Sequence, residues 1–239
     1  FSKLETFIGS KVYPFSSARA ALVFALRGIG FNRMDEILVP PYLSYCVTSA
    51  ISKIGFPTMI ATPRTKAIYV FHQFGFPQDI EAIDHKANEE GWVIINCCVH
   101  SLFTKSKDDW LTNWGDFTIF SLPKMYPCGL GGGLITNNVK IVKYLDENYE
   151  KLFKLHEKWA HKAFNILKNK NQSFGELDSR FNVDAVYGYL PETVTFPTPS
   201  YNYLPVEINS IVADINRRKN LLHSAKRFLS ELSKNKYKA

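Results

Sequence analysis

The pattern of apolar positions along the chain alternates between a helical period and short continuous runs. In SSARAALVFALRGIG the small and aliphatic residues fall on one helical face, and Ser16 or Ser17 can cap the start. QDIEAIDHKANEEG has the same period, with early acidic residues and Gly91 after its last turn. Both segments are therefore predicted to be amphipathic helices.

Short apolar segments between the helical ones predict buried strands. LSYCVTSAISKIG is predicted to be a further helix that ends at Gly55. The predicted strands are EILV, PTMIA, AIYVF, WVIINCC, DFTIFS and GGLITNN. Helices that alternate with such strands predict an α/β fold, with a mainly parallel central sheet covered by helices on both faces. Ligands of such folds bind at the carboxyl ends of the strands and at helix N-termini.

Composition excludes several classes of protein. The chain is 46% hydrophobic and 21% charged, which is globular, and no apolar run is long enough to predict a membrane span or a signal peptide. The net charge is +7, and residues 201–239 carry eight Lys and Arg against three acids. We interpret this basic end as a solvated helix face and predict no nucleic-acid partner, because no nucleic-acid motif accompanies it.

Four cysteines are too few to predict a disulfide framework, and the adjacent Cys97 and Cys98 do not have metal-site spacing. We therefore expect a reducing, cytoplasmic compartment.

The segments at the predicted strand ends carry a family resemblance. In order they are SSARAAL, VPPYLSYCVTSAI, TKAIYVFHQFGFP, VIINCCVHSLF, WGDFTIFSLPKMYPCGLGGG and YNYLPVEI. This series resembles the DegT-type family of pyridoxal-phosphate-dependent aminotransferases, which typically act on nucleotide-linked keto sugars. It is most similar to a less characterised branch with a lysine motif of the type FSLRK.

The resemblance implies a fold and a domain organisation. Residues 1–200 are expected to form the large domain of a type I pyridoxal-phosphate-dependent transferase. Residues 201–239 are expected to be a C-terminal helix at the start of a small domain that is short or missing. The resemblance also implies a homodimer with active sites built from two chains.

Lys124 and His100 are the residues that the resemblance assigns to catalysis. Lys124 stands where the family lysine forms a Schiff base with the cofactor, pyridoxal 5′-phosphate. An exposed loop lysine is the alternative interpretation. His100 matches a residue near the phenolic oxygen of the cofactor, and a histidine satisfied in the core is its alternative.

The resemblance also implies a phosphate site. Ser17, Ala18 and Arg19 occupy the place of the family's phosphate-binding turn, and Ser121 matches a serine that contacts the phosphate. A solvent-facing Arg19 and a strand-terminal hydroxyl at Ser121 are the alternatives. Asn202 matches an asparagine that reaches the partner's phosphate, with a turn asparagine as its alternative.

Three positions around the cofactor ring complete the implied site. Cys97 stands where the family has an aspartate that keeps the pyridine nitrogen protonated, and a thiol cannot replace a carboxylate there. Tyr42 is assigned to cover the ring face, with a core tyrosine as the alternative. His72 is a weaker candidate near the site mouth, and GLGGG is interpreted as a turn that lets Lys124 approach the cofactor.

Three functional hypotheses follow. The first is a DegT-type aminotransferase that uses pyridoxal phosphate, a nucleotide-sugar ketone and an amino donor in surface-polysaccharide biosynthesis. The second is a homologue of this fold that binds cofactor weakly or not at all and serves as a binding or partner subunit. It is favoured by Cys97, by the short C-terminus and by Leu204, which stands where the family has an arginine. The third is an unrelated α/β binding protein.

Overall fold

The computed structural model describes residues 2–15, 17–125 and 131–150, which form five α-helices, two short 3-10 helices (Gln73–Gly75 and Leu111–Asn113) and nine strands. The helices are α1 (Ser2–Ile8), α2 (Ala18–Ile29), α3 (Tyr45–Ile51), α4 (Ile80–Glu90) and α5, described over 139–150. The strands are β1 (Val12–Phe15), β2 (Glu36–Leu38), β3 (Phe56–Thr58), β4 (Thr65–Phe71), β5 (Val93–Cys97), β6 (Lys105–Ser106), β7 (Asp109–Trp110), β8 (Phe117–Ser121) and β9 (Gly132–Thr136). None of the described helices has the length and apolarity needed to cross a membrane.

Seven of the strands form one sheet in the order β1-β9-β8-β5-β4-β2-β3. Four neighbouring pairs are parallel: β2 with β3, β2 with β4, β4 with β5, and β5 with β8. Strand β9 is antiparallel to both of its neighbours, so β1 and β8 run in the same direction. This arrangement confirms the prediction of a mainly parallel α/β sheet.

The two faces of the sheet bury different side chains because successive residues of a strand point to opposite sides. On one face Tyr69, Cys97 and Ile119 pack in a single apolar cluster with α2 and α3. On the other face Cys98 and Phe120 pack in a cluster with residues of α1. Helices therefore cover both faces, as the sequence predicts.

The register of the strands aligns their carboxyl ends along one edge of the sheet. Phe71 of β4 pairs with Cys97 of β5, and Cys97 pairs with Ile119 of β8. Two residues further along β8, Ser121 pairs with Gly132 of β9. Gly132 pairs on its other side with the last residue of β1. The residues that follow β1, β4, β5 and β8 therefore emerge at a common edge.

Helix α2 begins at this edge, with the start that its sequence predicts. The side chain of Ser17 accepts a hydrogen bond from the Ala20 backbone N–H at 3.1 Å, which confirms Ser17 as the N-cap. Gly30 ends the helix with a φ of 93°, a left-handed conformation that favours glycine. Helix α4 begins at the N-cap Asp79 and ends at Gly91, also as predicted.

The structure corrects several predicted boundaries. Helix α3 ends at Ile51, before Gly55, because hydrogen-bonded turns replace the helix between them. Strand β3 is shorter than PTMIA and ends at Thr58. Helix α1, strand β1 and the β6–β7 hairpin were not predicted, since each is too short to show a clear period. The predicted domain boundary at 200/201 lies outside the described residues.

A buried polar network ties β4, β5 and β8 together behind the edge. Asn96 is fully buried, and its Nδ2 donates to the carbonyls of Leu111 and Trp114 and to the hydroxyl of Thr118, at 2.7, 3.0 and 2.8 Å. His72 accepts from the Gln78 N–H through Nδ1, so its Nε2 carries the proton that it donates to Asn96 Oδ1 at 2.9 Å.

Replacing Asn96 with alanine should lower the free energy of unfolding by about 2–3 kcal/mol, because buried carbonyls and a histidine N–H would lose their partners. Urea denaturation of the full chain measures this loss. Asn32→Ala is the matched control, since Asn32 is exposed and its bonds to Asp35 are on the surface. The control should lose less than about 1 kcal/mol. Equal losses in the two variants would contradict the network's structural role.

The same network predicts an acid-sensitive stability. Burial lowers the pKa of His72 from 6.5 to about 4, and the bond to Asn96 opposes this shift only in part. Between pH 6.5 and pH 4 the unfolded chain therefore takes up a proton that the folded chain does not, so stability falls with falling pH.

Unfolding of the wild type at pH 7 and pH 5 should show a loss of about 2 kcal/mol that His72→Gln does not show. The same pH dependence of the unfolding free energy in both proteins would show that His72 does not cause it.

Candidate active site

The N-terminus of α2 packs tightly against Gly132 at the carboxyl edge of the sheet. A Cβ atom at Gly132 would lie 2.5 Å from the backbone nitrogen of Ala18 and 2.6 Å from the carbonyl oxygen of Phe120. Both neighbours are backbone atoms, so a side chain at Gly132 would push the helix away from the sheet. The missing side chain therefore brings the first turn of α2 onto the ends of β8 and β9.

This first turn is a site suited to an anion. The first N–H groups of a helix have no carbonyl partner within it, and the helix dipole favours negative charge there. Ser17 caps Ala20, which leaves the N–H of Ala18 as the donor nearest to Gly132. Arg19 is half-buried in the same turn and adds a positive charge.

Ser121 lies beside this turn, because both pack around Gly132. It is half-buried, and strand alternation places its side chain on the α2 face, as for Phe117 and Ile119. The predicted members of the phosphate site, Ser17, Ala18, Arg19 and Ser121, are therefore brought together at one edge. That they bind a phosphate stays a prediction.

Lys124 is in a tight turn directly after β8. The turn is closed by hydrogen bonds from the Leu122 N–H to the Gly131 carbonyl and from the Met125 N–H to the Leu122 carbonyl, both 2.9 Å. Lys124 is exposed, as in the alternative interpretation of a loop lysine, and its role as the Schiff-base lysine stays a prediction. The reason for its exposure is its place beyond the last paired residue of β8, where the packed cluster beneath ends at Leu122 and Met125.

His100 connects Lys124 to the end of β5. Its Nδ1 accepts the Phe74 backbone N–H at 3.3 Å, and the Phe71 ring packs against it at a centroid distance of 5.0 Å. The Phe74 ring is stacked on it at 6.1 Å. Burial, and then the nearby Lys124 ammonium, lower the pKa of His100. The two predicted catalytic residues are therefore within electrostatic reach of each other.

Sequence reasoning missed the two aromatic rings that hold His100. Phe74 has a φ of 56°, a left-handed conformation that is strained for a non-glycine residue. The following residue, Gly75, also has a positive φ, and a Cβ there would lie 3.1 Å from the His100 carbonyl. Strain of this kind persists where the surroundings impose it, and the glycine after an aromatic residue in HQFGF was the available signal.

Cys97 is fully buried on the α2 face at the end of β5. Burial raises the pKa of its thiol to about 11, and the nearby Tyr69 hydroxyl opposes this shift in part. The thiol is therefore uncharged at neutral pH, as the sequence predicts for an apolar strand end.

Three other predicted residues have different outcomes. Tyr42 is 85% exposed, so the core alternative is wrong, and its contact with a ring stays a prediction. His72 is fully buried and bonded to Asn96, so its predicted place at the site mouth is wrong. Asn202 lies outside the described residues.

The interpretation of GLGGG as a turn is corrected in part. Residues 126–130 are outside the described residues, but Gly132 and Gly133 are paired residues of β9, which agrees with the predicted strand GGLITNN and not with a turn over all of GLGGG. Gly132 leaves space for α2, and Gly133 leaves space for the ring of Phe120, whose nearest atom would be 2.3 Å from an added Cβ. Their small size serves the packing of strand and helix.

The donors at this edge fit pyridoxal phosphate on two of its sides. The first turn of α2 with Ser121 suits the phosphate, and Lys124 beside a neutral His100 suits the aldehyde and the phenolic oxygen. At Cys97, which the family resemblance assigns to the ring nitrogen, the chain has an uncharged thiol in place of the family's carboxylate, and this assignment stays a prediction.

A family model described as "Putative PLP-dependent aminotransferase" matches residues 6–179, which is most of the chain. The chain belongs to this family. The DegT-type resemblance of its motifs agrees with the relatives that it matches.

Two curated relatives are sugar-pathway proteins by their names. GDP-perosamine synthase of Escherichia coli O157:H7 is 27% identical over 143 residues, which cover 52% of this chain and 39% of the relative. The spore coat polysaccharide biosynthesis protein SpsC of Bacillus subtilis strain 168 is 28% identical over 160 residues, covering 58% and 41%. The chain thus spans about two fifths of the length of these relatives.

A solved structure shows the same fold. The DegT DnrJ EryC1 StrS aminotransferase from Brucella abortus superposes with a TM-score of 0.53 at 21% identity, over 59% of this chain and 46% of that chain. The predicted type I fold of pyridoxal-phosphate-dependent transferases is confirmed.

The proximity of Lys124 and His100 predicts a measurable coupling. Lys124→Met removes an ammonium that lowers the pKa of His100, so the pKa of His100 should rise. NMR titration of the histidine ring protons in the full chain measures this change. Lys66→Met is the control, since Lys66 is exposed on β4 near the opposite edge of the sheet and should leave His100 unchanged. An unchanged pKa of His100 in Lys124→Met would show that Lys124 is too far from His100 to affect it.

Proposed function

We propose that the protein is an aminotransferase that uses pyridoxal phosphate and transfers an amino group to a nucleotide-linked keto sugar, in surface-polysaccharide biosynthesis. The observation that carries this proposal is the convergence of Lys124, His100, Ser121 and the first turn of α2 at one edge, in a chain of this family. The names of the curated relatives support the sugar substrate.

The chain's own residues divide the work at this edge. The Ala18 N–H, the Ser17 and Ser121 hydroxyls and Arg19 bind and orient the phosphate, where the helix dipole adds to the attraction. When bound, pyridoxal phosphate supplies an aldehyde that condenses with amines and a ring that withdraws electrons from the reacting carbon. Lys124 holds the aldehyde side and moves a proton at Nζ.

His100 has the protonation state that its role needs. Its lowered pKa keeps the ring neutral at pH 7, and its Nδ1 already accepts from Phe74, so Nε2 carries the proton. A neutral N–H donor beside a phenolic oxygen stabilises negative charge on that oxygen without adding another cation next to Lys124. The two phenylalanine rings fix its orientation.

We propose a homodimer in the cytoplasm as the working form. Large aromatic side chains are exposed after β2 and β4, among them Tyr42 and Tyr45 at 85% and 84% and Phe74 at 76%. Exposed apolar side chains of this size favour a protein partner, and a second copy of the chain is the partner that the family suggests. Free thiols at Cys46, Cys97 and Cys98 support a reducing compartment.

A second candidate function is favoured by Cys97. Without a carboxylate at the ring nitrogen, the cofactor's electron withdrawal is weakened, and turnover should suffer more than binding. The chain would then bind the cofactor and serve as a partner subunit with little activity of its own.

A labelling experiment tests the proposed function. The full chain is incubated with pyridoxal phosphate, reduced with borohydride, and digested for peptide mapping. A pyridoxyl group is expected on Lys124, because its amine is accessible at the phosphate edge. Lys124→Ala should lose the label, and the control Lys66→Ala should keep it.

The label should also respond to an amino donor. Prior incubation with L-glutamate or L-glutamine should abolish labelling by converting the aldehyde to an amine if the chain is an active aminotransferase. Labelling that an amino donor does not change would favour the second candidate. A label on other lysines, with Lys124→Ala unaffected, would contradict both.

A further inference from the structure

Tyr69 and Cys97 form a pair on the α2 face of the sheet. They belong to neighbouring parallel strands, and Tyr69 is two residues before Phe71, which pairs with Cys97. The two side chains are thus diagonal neighbours on one face, and both are in the cluster that packs against α2 and α3. Each group shifts the pKa of the other, which shows that the phenol and the thiol are adjacent.

The hydroxyl of Tyr69 is an orphaned polar group. Tyr69 is 2% exposed, and among the described residues its oxygen has no aligned hydrogen-bond partner, the adjacent thiol included. A buried hydroxyl without a partner is destabilising, and a phenylalanine would fill the same space without that cost. The hydroxyl is therefore available to donate to a neighbouring group, and the nearest candidate is the Cys97 thiol.

The groups around this pair are uncharged. The titratable groups that shift the pKa of Cys97 are Tyr69 on β4 and Cys46 on α3, and those that shift the pKa of Tyr69 are Cys46, Cys97 and Cys98. None of these groups, which all belong to the described residues, is a carboxylate or a cation. Burial holds the thiol and the phenol in their protonated forms.

One atom of the cofactor, the ring nitrogen, would lie near Tyr69 and Cys97, and this inference rests on the proposed function. In pyridoxal phosphate the ring nitrogen lies across the ring from the carbon that bears the aldehyde. Lys124, which would hold the aldehyde, is exposed at the outer side of the edge. An aldehyde held at Lys124 would leave the nitrogen on the inward side, toward the buried end of β5.

We infer that Cys97, backed by Tyr69, presents an uncharged hydrogen-bond donor to the ring nitrogen, so that the bound cofactor keeps an unprotonated ring. In the proposed complex Cys97 donates its S–H to the nitrogen, and Tyr69 is a positioning residue whose hydroxyl, without a partner among the described residues, turns to donate to Cys97 Sγ. An unprotonated pyridine accepts a hydrogen bond from a neutral thiol, whereas a pyridinium would be a buried cation without a counter-charge. The site thus selects the neutral ring.

The ring state can be measured without turnover. The full chain is loaded with pyridoxal phosphate labelled with ¹⁵N in the ring, and the nitrogen chemical shift is compared with that of the free cofactor titrated above and below its ring pKa. The wild type should show the unprotonated shift at pH 7. Cys97→Ser, also uncharged, should keep that shift, and Cys97→Asp should move it to the protonated value.

Cys98→Ser is the matched control, because Cys98 is an equally buried thiol on the opposite face of the sheet. It should leave the shift unchanged. A protonated nitrogen in the wild type overturns the inference, and so does a Cys98→Ser shift as large as that of Cys97→Asp.

Tyr69→Phe tests the positioning role and remains informative if Cys97→Asp does not fold. Because the hydroxyl is unsatisfied, its removal should leave the free energy of unfolding of the cofactor-free chain unchanged or higher. Cofactor affinity should fall roughly two- to tenfold, as expected for one hydrogen bond. A less stable variant with unchanged affinity would give the hydroxyl a structural role and overturn the assignment.

The labelling result at Lys124 distinguishes a failure of the proposed function from a failure of the inference about Cys97. No pyridoxyl group on Lys124 would refute the proposed site itself. A label on Lys124 together with a protonated ring nitrogen would leave the proposed site in place and refute the inference about Cys97.

Discussion

The contact between the first turn of α2 and Gly132 places the helix N-terminus at the carboxyl ends of the strands that carry the other groups of the site. Because Gly132 has no side chain, the Ala18 backbone comes down onto the sheet between β1 and β8. Its N–H, in the first turn of the helix, and the helix dipole are then at the same edge at which β5 and β8 end. The turn with Lys124 and the loop with His100 extend from those two strands, so the missing Cβ is what brings the helix N-terminus to them.

The sequence predicts long periodic elements and misses contacts between distant segments. The apolar face, Ser cap and glycine end of α2 are all local, and the structure has each of them. The role of Gly132 was missed because it depends on Ala18, far away in the chain, and GLGGG alone resembles a turn. The burial of His72 was missed for the same reason, since Asn96 becomes its partner only after β4 and β5 pair. The end of β8 at Ser121 was predicted by DFTIFS, but the exposure of Lys124 depends on how the following turn packs on Leu122 and Met125, which no local pattern shows.

Charge divides the site into two unlike halves. The outer half contains Arg19, Lys124 and a helix N-terminus, and suits an anion and an amine. The inner half, around Cys97 and Tyr69, contains only uncharged groups among the described residues that act on the thiol. This division explains why motifs of an aminotransferase family are combined with the loss of the carboxylate that strengthens the cofactor. In the proposed site the helix N-terminus and the lysine would provide for cofactor binding, and the neutral inner half would limit how strongly the ring withdraws electrons.

We propose that the cofactor binds at the edge of the sheet where the strands end and α2 begins. A crystal structure of the full chain soaked with pyridoxal phosphate tests this claim most directly. The account predicts a phosphate within hydrogen-bond distance of the Ala18 N–H and the Ser121 hydroxyl, with the aldehyde carbon at Lys124 Nζ and the ring nitrogen toward Cys97. A phosphate bound at another part of the protein, with the first turn of α2 empty and Lys124 unmodified, would contradict it.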